Sequence, residues 1–195
     1  MYINMGKAED FMRLGTQAEE NGDIKEAIKY YQSAAETGST DGLASIGLLY
    51  QYGTGVDESI DIALKWFQKV IDAGDFDGYW LKGNAYKKIG DYENAVNCYE
   101  KAAENGGNCK YFAVYDLAQA YHYGEGKEKN FAIALELYHK SAENGEAVAM
   151  LTLGDLFREG EIVCQDNECA IYWYGKAKEV GSNEAEERLM EMKGN

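Results

Sequence analysis

The feature of this sequence that most constrains its fold is a pattern that occurs five times along the 195 residues. In each copy an alanine follows a helix-capping residue by four positions, and precedes an aromatic residue by four positions and a glycine by eleven. The alanines are Ala27, Ala63, Ala95, Ala134 and Ala170, and the capping residues are Asp23, Ser59, Asp91, Asn130 and Asp166. The aromatic residues are Tyr31, Phe67, Tyr99, Tyr138 and Tyr174, and the glycines are Gly38, Gly74, Gly106, Gly145 and Gly181. Because such capping residues begin helices and glycine commonly ends them, each copy predicts a helix of about fourteen residues.

An earlier helix is predicted before each of these. Its apolar residues recur at positions i, i+3, i+4 and i+7, as in Phe11, Leu14, Gly15 and Ala18. The i+4 position always holds a small residue, which is tolerable in a helix where a neighbouring helix must approach closely. These small residues are Gly15, Gly47, Gly83, Ala118 and Gly154. Since one helical hairpin cannot bury its apolar face alone, the repeats of 32–39 residues are expected to stack.

The sequence therefore predicts an all-α fold, a single α-solenoid domain of five helical hairpins and a C-terminal capping helix over residues 1–195. The predicted units are residues 7–40, 41–76, 77–108, 109–146 and 147–183, and the capping helix is 184–194.

The stretch YQYGTGV, residues 50–56, could be a phosphate-binding loop or a turn. A P-loop needs a preceding strand and a Gly-Lys-Ser/Thr ending, and neither is present. From the small residue of each earlier helix to the anchor alanine there are 12 residues in units one and three, but 16 in the other units. The sequence therefore predicts turns at 53–58, 124–129 and 160–165 that are longer than those at 21–22 and 89–90.

Composition excludes several classes of function. The 34 acidic and 19 basic residues give a net charge of −15, which argues against nucleic-acid binding and against an electrostatic membrane anchor. No apolar run approaches the roughly 18 residues of a membrane span, and no signal peptide is visible at the start.

Four cysteines, Cys98, Cys109, Cys164 and Cys169, are expected to be reduced thiols in a cytoplasmic protein. Cys98 falls on the buried stripe of its helix, and Cys169 falls in a first helical turn, where its pKa could be lowered. The spacing of Cys164 and Cys169 leaves zinc as an alternative, but no second Cys/His pair lies near them. No metal or cofactor is predicted.

Residues 43–75, LASIGLLYQYGTGVDESIDIALKWFQKVIDAGD, resemble a Sel1-like repeat, the longer-looped relative of the tetratricopeptide repeat. The stretches LYHKSAENGEA (137–147) and YWYGKAKEVGS (172–182) are similar to the end of that family's second helix. Units one and three look closer to plain tetratricopeptide repeats. The resemblance implies a right-handed solenoid and an adaptor that binds proteins or extended peptides in a concave groove lined by first helices.

A second stripe on each first helix is expected to face that groove. Its central aromatic residues have no predicted role in the core and alternate with polar and basic residues, as peptide-binding surfaces do. The predicted ligand-binding residues are Tyr52, Trp80, Asn84, Lys87, Lys88, Tyr115, Gln119, His122, Tyr123 and Arg158. The alternative is that Trp80 and Tyr115 only pack between adjacent helices. An acidic ligand group would lie near Lys87 and Lys88, and the ligand's basic end would face the acidic first unit.

Three alternatives to a cytoplasmic adaptor remain open: an exported effector or host-interaction factor of the same fold, a hydrolytic enzyme, and weak self-association. Catalysis is not favoured, because His122 has no Cys, Ser or carboxylate partner at a diagnostic spacing, and His139 falls on the second helix of unit four.

Overall fold

The computed structural model of the protein describes residues 2–193, and the side chains of residues 6–192. Over these residues the chain forms eleven α-helices and no strand, which confirms the predicted all-α class. The helices are α1 (Tyr2–Glu20), α2 (Ile24–Glu36), α3 (Thr40–Tyr52), α4 (Ile60–Asp72), α5 (Asp77–Lys88), α6 (Tyr92–Asn105), α7 (Lys110–Tyr123), α8 (Phe131–Glu143), α9 (Ala147–Glu159), α10 (Asn167–Glu179) and α11 (Asn183–Lys193). The last residue of the predicted capping helix, residue 194, lies outside the described residues.

The helices belong to two compact units, Met1–Asn108 and Cys109–Asn195. In the first unit α1 packs against α2, α3 against α4, and α5 against α6, while α2 and α4 each also contact the first helix of the next hairpin. In the second unit α7 packs against α8 and α9 against α10, with further contacts from α8 to α9 and from α10 to α11.

The helix-capping residues act as the sequence predicts. Each of the five side chains accepts a hydrogen bond from a backbone N–H in the first turn of the following helix. The donor–acceptor distances run from 2.9 Å, at Asp166, to 3.3 Å, at Ser59. At the other end of these helices, all five predicted glycines have φ between 88° and 100°, a conformation that the Cβ atom of any other residue disfavours. The anchor alanines between cap and glycine are all buried.

The small residue in each first helix allows an aromatic ring of the second helix to approach. A Cβ added at Gly15 would lie 2.4 Å from Cε1 of Tyr31, and one at Gly154 would lie 2.3 Å from Cε1 of Tyr174. The same contact occurs in the second and third hairpins, between Gly47 and Phe67 and between Gly83 and Tyr99. The fourth hairpin instead buries Ala118 in one core cluster with Tyr138.

The predicted difference in turn length is confirmed. The turns at 53–59, 124–130 and 160–166 are each longer by four residues than those at 21–23 and 89–91. YGTGV is therefore a turn, and its two glycines have structural roles. Gly53 ends α3 with φ 67°, and a Cβ at Gly55 would lie 2.2 Å from Cγ1 of Ile24 on α2. The long turn of the second hairpin thus packs closely on the first hairpin.

Candidate functional site

Within each unit the first helices of successive hairpins lie side by side. In the first unit Lys88 of α5 donates a hydrogen bond to the carbonyl of Gln51 at the end of α3. In the second unit the Tyr115 hydroxyl of α7 lies 3.2 Å from Oγ1 of Thr152 on α9, and Arg188 of α11 lies 3.2 Å from Oδ1 of Asp155 on α9. We call the face made by α1, α3 and α5 in the first unit, and by α7, α9 and α11 in the second, the first-helix surface.

Tyrosines of the second helices bind polar side chains of the first helices. The hydroxyl of Tyr31 donates to Oε2 of Glu19 at 2.7 Å, and that of Tyr174 donates to Oδ1 of Asp155 at 2.7 Å. Burial, and then the nearby carboxylate, raise the pKa of Tyr31 to about 12 and raise the pKa of Tyr174 as well. These tyrosines therefore stay protonated and hold the two helices of a hairpin together.

Asn84, a predicted ligand-binding residue, belongs to this set of contacts. Its Oδ1 accepts a hydrogen bond from the hydroxyl of Tyr99 at 2.8 Å, and its side chain is half-buried. The structure thus gives Asn84 a role within the third hairpin, which spacing along the sequence did not reveal.

The expectation that His122 faces a ligand is corrected, because its side chain is only 2% exposed. Its Nδ1 lies 3.2 Å from the hydroxyl of Tyr138, and its Nε2 lies 3.4 Å from Oε1 of Glu161 in the long turn of the next hairpin. Its ring stacks on that of Tyr123, with centroids 4.4 Å apart. His122 is therefore an internal residue of the second unit, enclosed by aromatic rings.

Two of the predicted cations already have acidic partners. Nζ of Lys88 lies 2.9 Å from Oε2 of Glu58 and 5.1 Å from the centroid of the Tyr52 ring. Arg158 lies within 3.4 Å of three carboxylates, those of Asp155, Glu159 and Glu191. Lys87 also interacts within the protein. The positive charge expected to attract an acidic ligand is thus largely balanced at Lys88 and Arg158.

The predicted aromatic residues fall into two groups. Trp80 packs against the core cluster that contains Phe67 and Leu81, and it is half-buried. Tyr115 is also half-buried, and its hydroxyl accepts a hydrogen bond from Nε2 of Gln119 at 3.1 Å. Both residues thus pack between helices and keep part of their surface exposed.

Tyr52 and Tyr123 are the exposed aromatic residues of the predicted set, with 61% and 57% of their surface accessible. Each is the last residue of a first helix and comes directly before the glycine that opens a long turn. Tyr52 and Tyr123 therefore remain available to a ligand, each within its own unit.

A cleft of about 210 Å³ lies on the first-helix surface of the first unit. It is lined by α1, α3 and the turn that follows α3, through Glu19, Ser45, Leu48, Leu49, Tyr52 and Thr54. Of the predicted ligand-binding residues, Tyr52 lines this cleft. The α3 residues at 45, 48, 49 and 52 have the spacing i, i+3, i+4 and i+7, a helical pattern that could have identified them from the sequence.

The cysteines form no disulfide among the described residues. Cys98 is buried as predicted, and burial raises the pKa of its thiol. The expectation of a lowered pKa at Cys169 is wrong: a hydrogen bond to the Asp166 carboxylate, with further help from burial and charge, raises the pKa of this thiol. The carboxylate concerned is the one that caps α10.

Residues 2–193 contain no helix that is both long enough and apolar enough to cross a membrane. In the same part of the chain, no three His, Cys, Asp or Glu side chains are grouped so that they could hold a metal ion.

Comparison with known proteins identifies the class of this protein. The family model for the Sel1 repeat matches residues 3–39, 40–75, 112–146 and 147–182, and a model for the tetratricopeptide repeat matches 76–105. The chain belongs to the Sel1 repeat family. The third hairpin is the tetratricopeptide type as expected, whereas the first hairpin matches the Sel1 repeat despite its short turn, which corrects the prediction for that unit.

Among solved structures, the chain is similar to a Sel1 repeat protein from Oxalobacter formigenes, with 31% identity and a TM-score of 0.70 over 91% of this chain and 75% of that one. It is also similar to a protective antigen present in uropathogenic Escherichia coli strains, with 29% identity and a TM-score of 0.68 over 95% of this chain and 41% of that one.

Among curated proteins, the chain is 28% identical over 167 residues to the exopolysaccharide production negative regulator of Rhizobium meliloti (strain 1021). That match covers 76% of this chain and 62% of the regulator. The chain spans less than two thirds of the length of the curated relatives it matches.

Proposed function

We propose that this chain is a non-enzymatic scaffold that binds an extended segment of a partner protein on its first-helix surface. Sel1 repeat proteins generally mediate protein–protein interaction, and a relative is named as a regulator. The observation that carries the proposal is the cleft between α1 and α3, which combines apolar walls from Leu48 and Leu49 with the exposed ring of Tyr52.

The composition of this cleft suits a protein ligand. Leucine and tyrosine side chains supply apolar contact area, while Ser45 and Thr54 supply hydroxyl groups that can pair with a peptide backbone. A rigid aromatic residue that is exposed in the free protein, and that loses little conformational entropy on binding, is typical of a residue that contributes much of the binding energy. Tyr52 has these properties in the first unit, and Tyr123 has them in the second.

The test is a selection of displayed random peptides of twelve residues on the full chain. We expect peptides that bind the wild type and bind Tyr52→Ala much more weakly. The matched control is Tyr172→Ala, because Tyr172 is 56% exposed on α10, a second helix, and also has a lysine, Lys176, over its ring. Equal loss of binding in both variants, or no selected peptide, would refute the proposal.

Two finer expectations from the sequence belong to this proposal. A cytoplasmic location is supported by the four cysteines, one of which, Cys98, packs as a buried thiol.

Weak self-association through the same surface is tested by light scattering over a range of protein concentrations. A mass that rises with concentration in the wild type and not in Tyr52→Ala would support self-association.

A further inference from the structure

The cleft between α1 and α3 has the size of a side chain rather than of a metabolite. Its volume of about 210 Å³ lies below the roughly 300–1,000 Å³ of typical small-molecule sites. A ligand that enters this cleft is therefore expected to insert one side chain while the rest of it lies on the surface.

The charge of the cleft indicates which kind of ligand side chain it favours. Of the six residues that line the cleft, Glu19 is the one acidic residue, and none is basic. One oxygen of its carboxylate, Oε2, accepts a hydrogen bond from the hydroxyl of Tyr31 at 2.7 Å. Because a carboxylate offers about four acceptor positions on its two oxygens, Glu19 can accept further hydrogen bonds from a cationic donor. The exposed Glu20 follows directly, and the whole chain carries a net charge of −15.

The aromatic ring of Tyr52, which lines the cleft, also favours a cationic side chain. Nζ of Lys88 approaches the Tyr52 ring from α5, at 5.1 Å from the centroid, and Glu58 balances that lysine at 2.9 Å. The ring thus lies beside a cation in the free protein, and contact of a cation with an aromatic face is a recurrent mode of recognition. The carboxylate of Glu58 beside Lys88 offsets the charge of that lysine next to the ring.

We infer that the cleft binds an arginine or lysine side chain of the partner segment, with Glu19 as its counter-ion and Tyr52 as its aromatic contact. This inference rests on the proposed function and names the chemistry of the partner. It is specific to the first hairpin, since the other first helices carry different residue types at the position of Glu19. Those residues are Gln51, Lys87, His122 and Arg158.

The experiment uses the peptides selected on the full chain, each resynthesised with its arginine replaced by citrulline, a neutral group of nearly the same shape, or its lysine by norleucine. We expect the selected peptides to share a basic residue at one position, and the neutral replacement to weaken binding about threefold to tenfold. Glu19→Gln should remove this preference, because Gln can still accept the Tyr31 hydroxyl but carries no charge. Glu20→Gln is the control of equal net charge, and it should retain the preference.

The outcomes separate the two proposals. Peptides that depend on Tyr52 but carry no basic residue, or that bind equally well with citrulline, would overturn the inference and leave the proposed function standing. Equal effects of Glu19→Gln and Glu20→Gln would also overturn it, because they would indicate attraction by overall charge. The absence of any peptide that depends on Tyr52 would overturn both proposals. Thermal unfolding of each variant shows whether a loss of binding reflects a loss of folding.

Discussion

The hydroxyl of Tyr138 on α8 lies 3.2 Å from Nδ1 of the buried His122. His122 follows Ala118 by four residues on α7, the first helix of the same hairpin. In the first hairpin Tyr31 binds Glu19, which occupies the same position relative to Gly15. The second hairpin has Phe67 in place of the tyrosine, and Gln51 at the position of Glu19 and His122. Oε1 of Gln51 is buried without a hydrogen-bond partner.

We therefore expect Phe67→Tyr to stabilise the protein. The new hydroxyl would reach Oε1 of Gln51, as the repeat places Tyr31 against Glu19, and a satisfied buried hydrogen bond contributes about 0.5–1.5 kcal/mol. The measurement is the free energy of unfolding in urea, with Phe67→Leu as a control that should lower it. Destabilisation by Phe67→Tyr would show that the second hairpin has no room for the hydroxyl.

The close approach of rings to helical glycines gives a second prediction. Gly154→Ala should destabilise the protein by about 1–3 kcal/mol, because its Cβ would lie 2.3 Å from Cε1 of Tyr174. Gly175→Ala is the matched control in the same unit, since no atom lies within 4 Å of a Cβ there. That control should stabilise by about 0.5–1 kcal/mol through helix propensity alone.

Calorimetric melting temperatures of the two variants separate the steric cost from helix propensity. The fourth hairpin carries Ala118 at the corresponding position, so Gly154→Ala should still fold. Equal stabilisation by both substitutions would contradict the steric role of Gly154.

The fold could be predicted from the sequence because its determinants are local. Helix caps, helix-ending glycines and apolar stripes each depend on residues of one helix or one turn. Helix geometry therefore converts their spacing along the chain into positions in the structure. Some partners of the predicted site residues are not local. Lys88 meets Gln51 at a separation of 37 residues, and Arg158 meets Glu191 at 33. No helical period relates such positions, so spacing along the sequence could not reveal these two contacts, whereas the pair of Arg158 with Asp155, three residues earlier on α9, does follow the helical period.

The exposure of the candidate site residues could be predicted only where it depends on neighbours along the chain. The exposure of Tyr52 follows from its place at the end of a helix, which the turn length reveals. The burial of His122 depends on Tyr123, Phe131 and Tyr138, which enclose it from its own helix and the next. Spacing along the sequence predicts which face of a helix a residue occupies, but it does not predict which aromatic residues pack over that face.

A third prediction concerns thiol reactivity. Asp166→Asn should increase the rate at which iodoacetamide alkylates Cys169 near neutral pH. The carboxylate of Asp166 raises the pKa of that thiol, and removing its charge therefore raises the fraction of thiolate. Asn also caps helices well, so the N-terminus of α10 should be preserved.

Mass spectrometry of the peptide that contains Cys169 measures the alkylation rate. The control is Glu168→Gln, which removes a weaker influence on the same thiol and should accelerate the reaction less. An unchanged rate in Asp166→Asn would show that this carboxylate does not control the reactivity of Cys169.

The central claim is that a partner segment binds the first-helix surface through Tyr52. Its most direct test is isothermal titration calorimetry of one selected peptide with the wild type, Tyr52→Ala and the Tyr172→Ala control. We predict that Tyr52→Ala weakens binding by about 2 kcal/mol or more, which is about thirtyfold, while Tyr172→Ala binds like the wild type. Binding of Tyr52→Ala as tight as that of the wild type, with both proteins folded, would contradict the account.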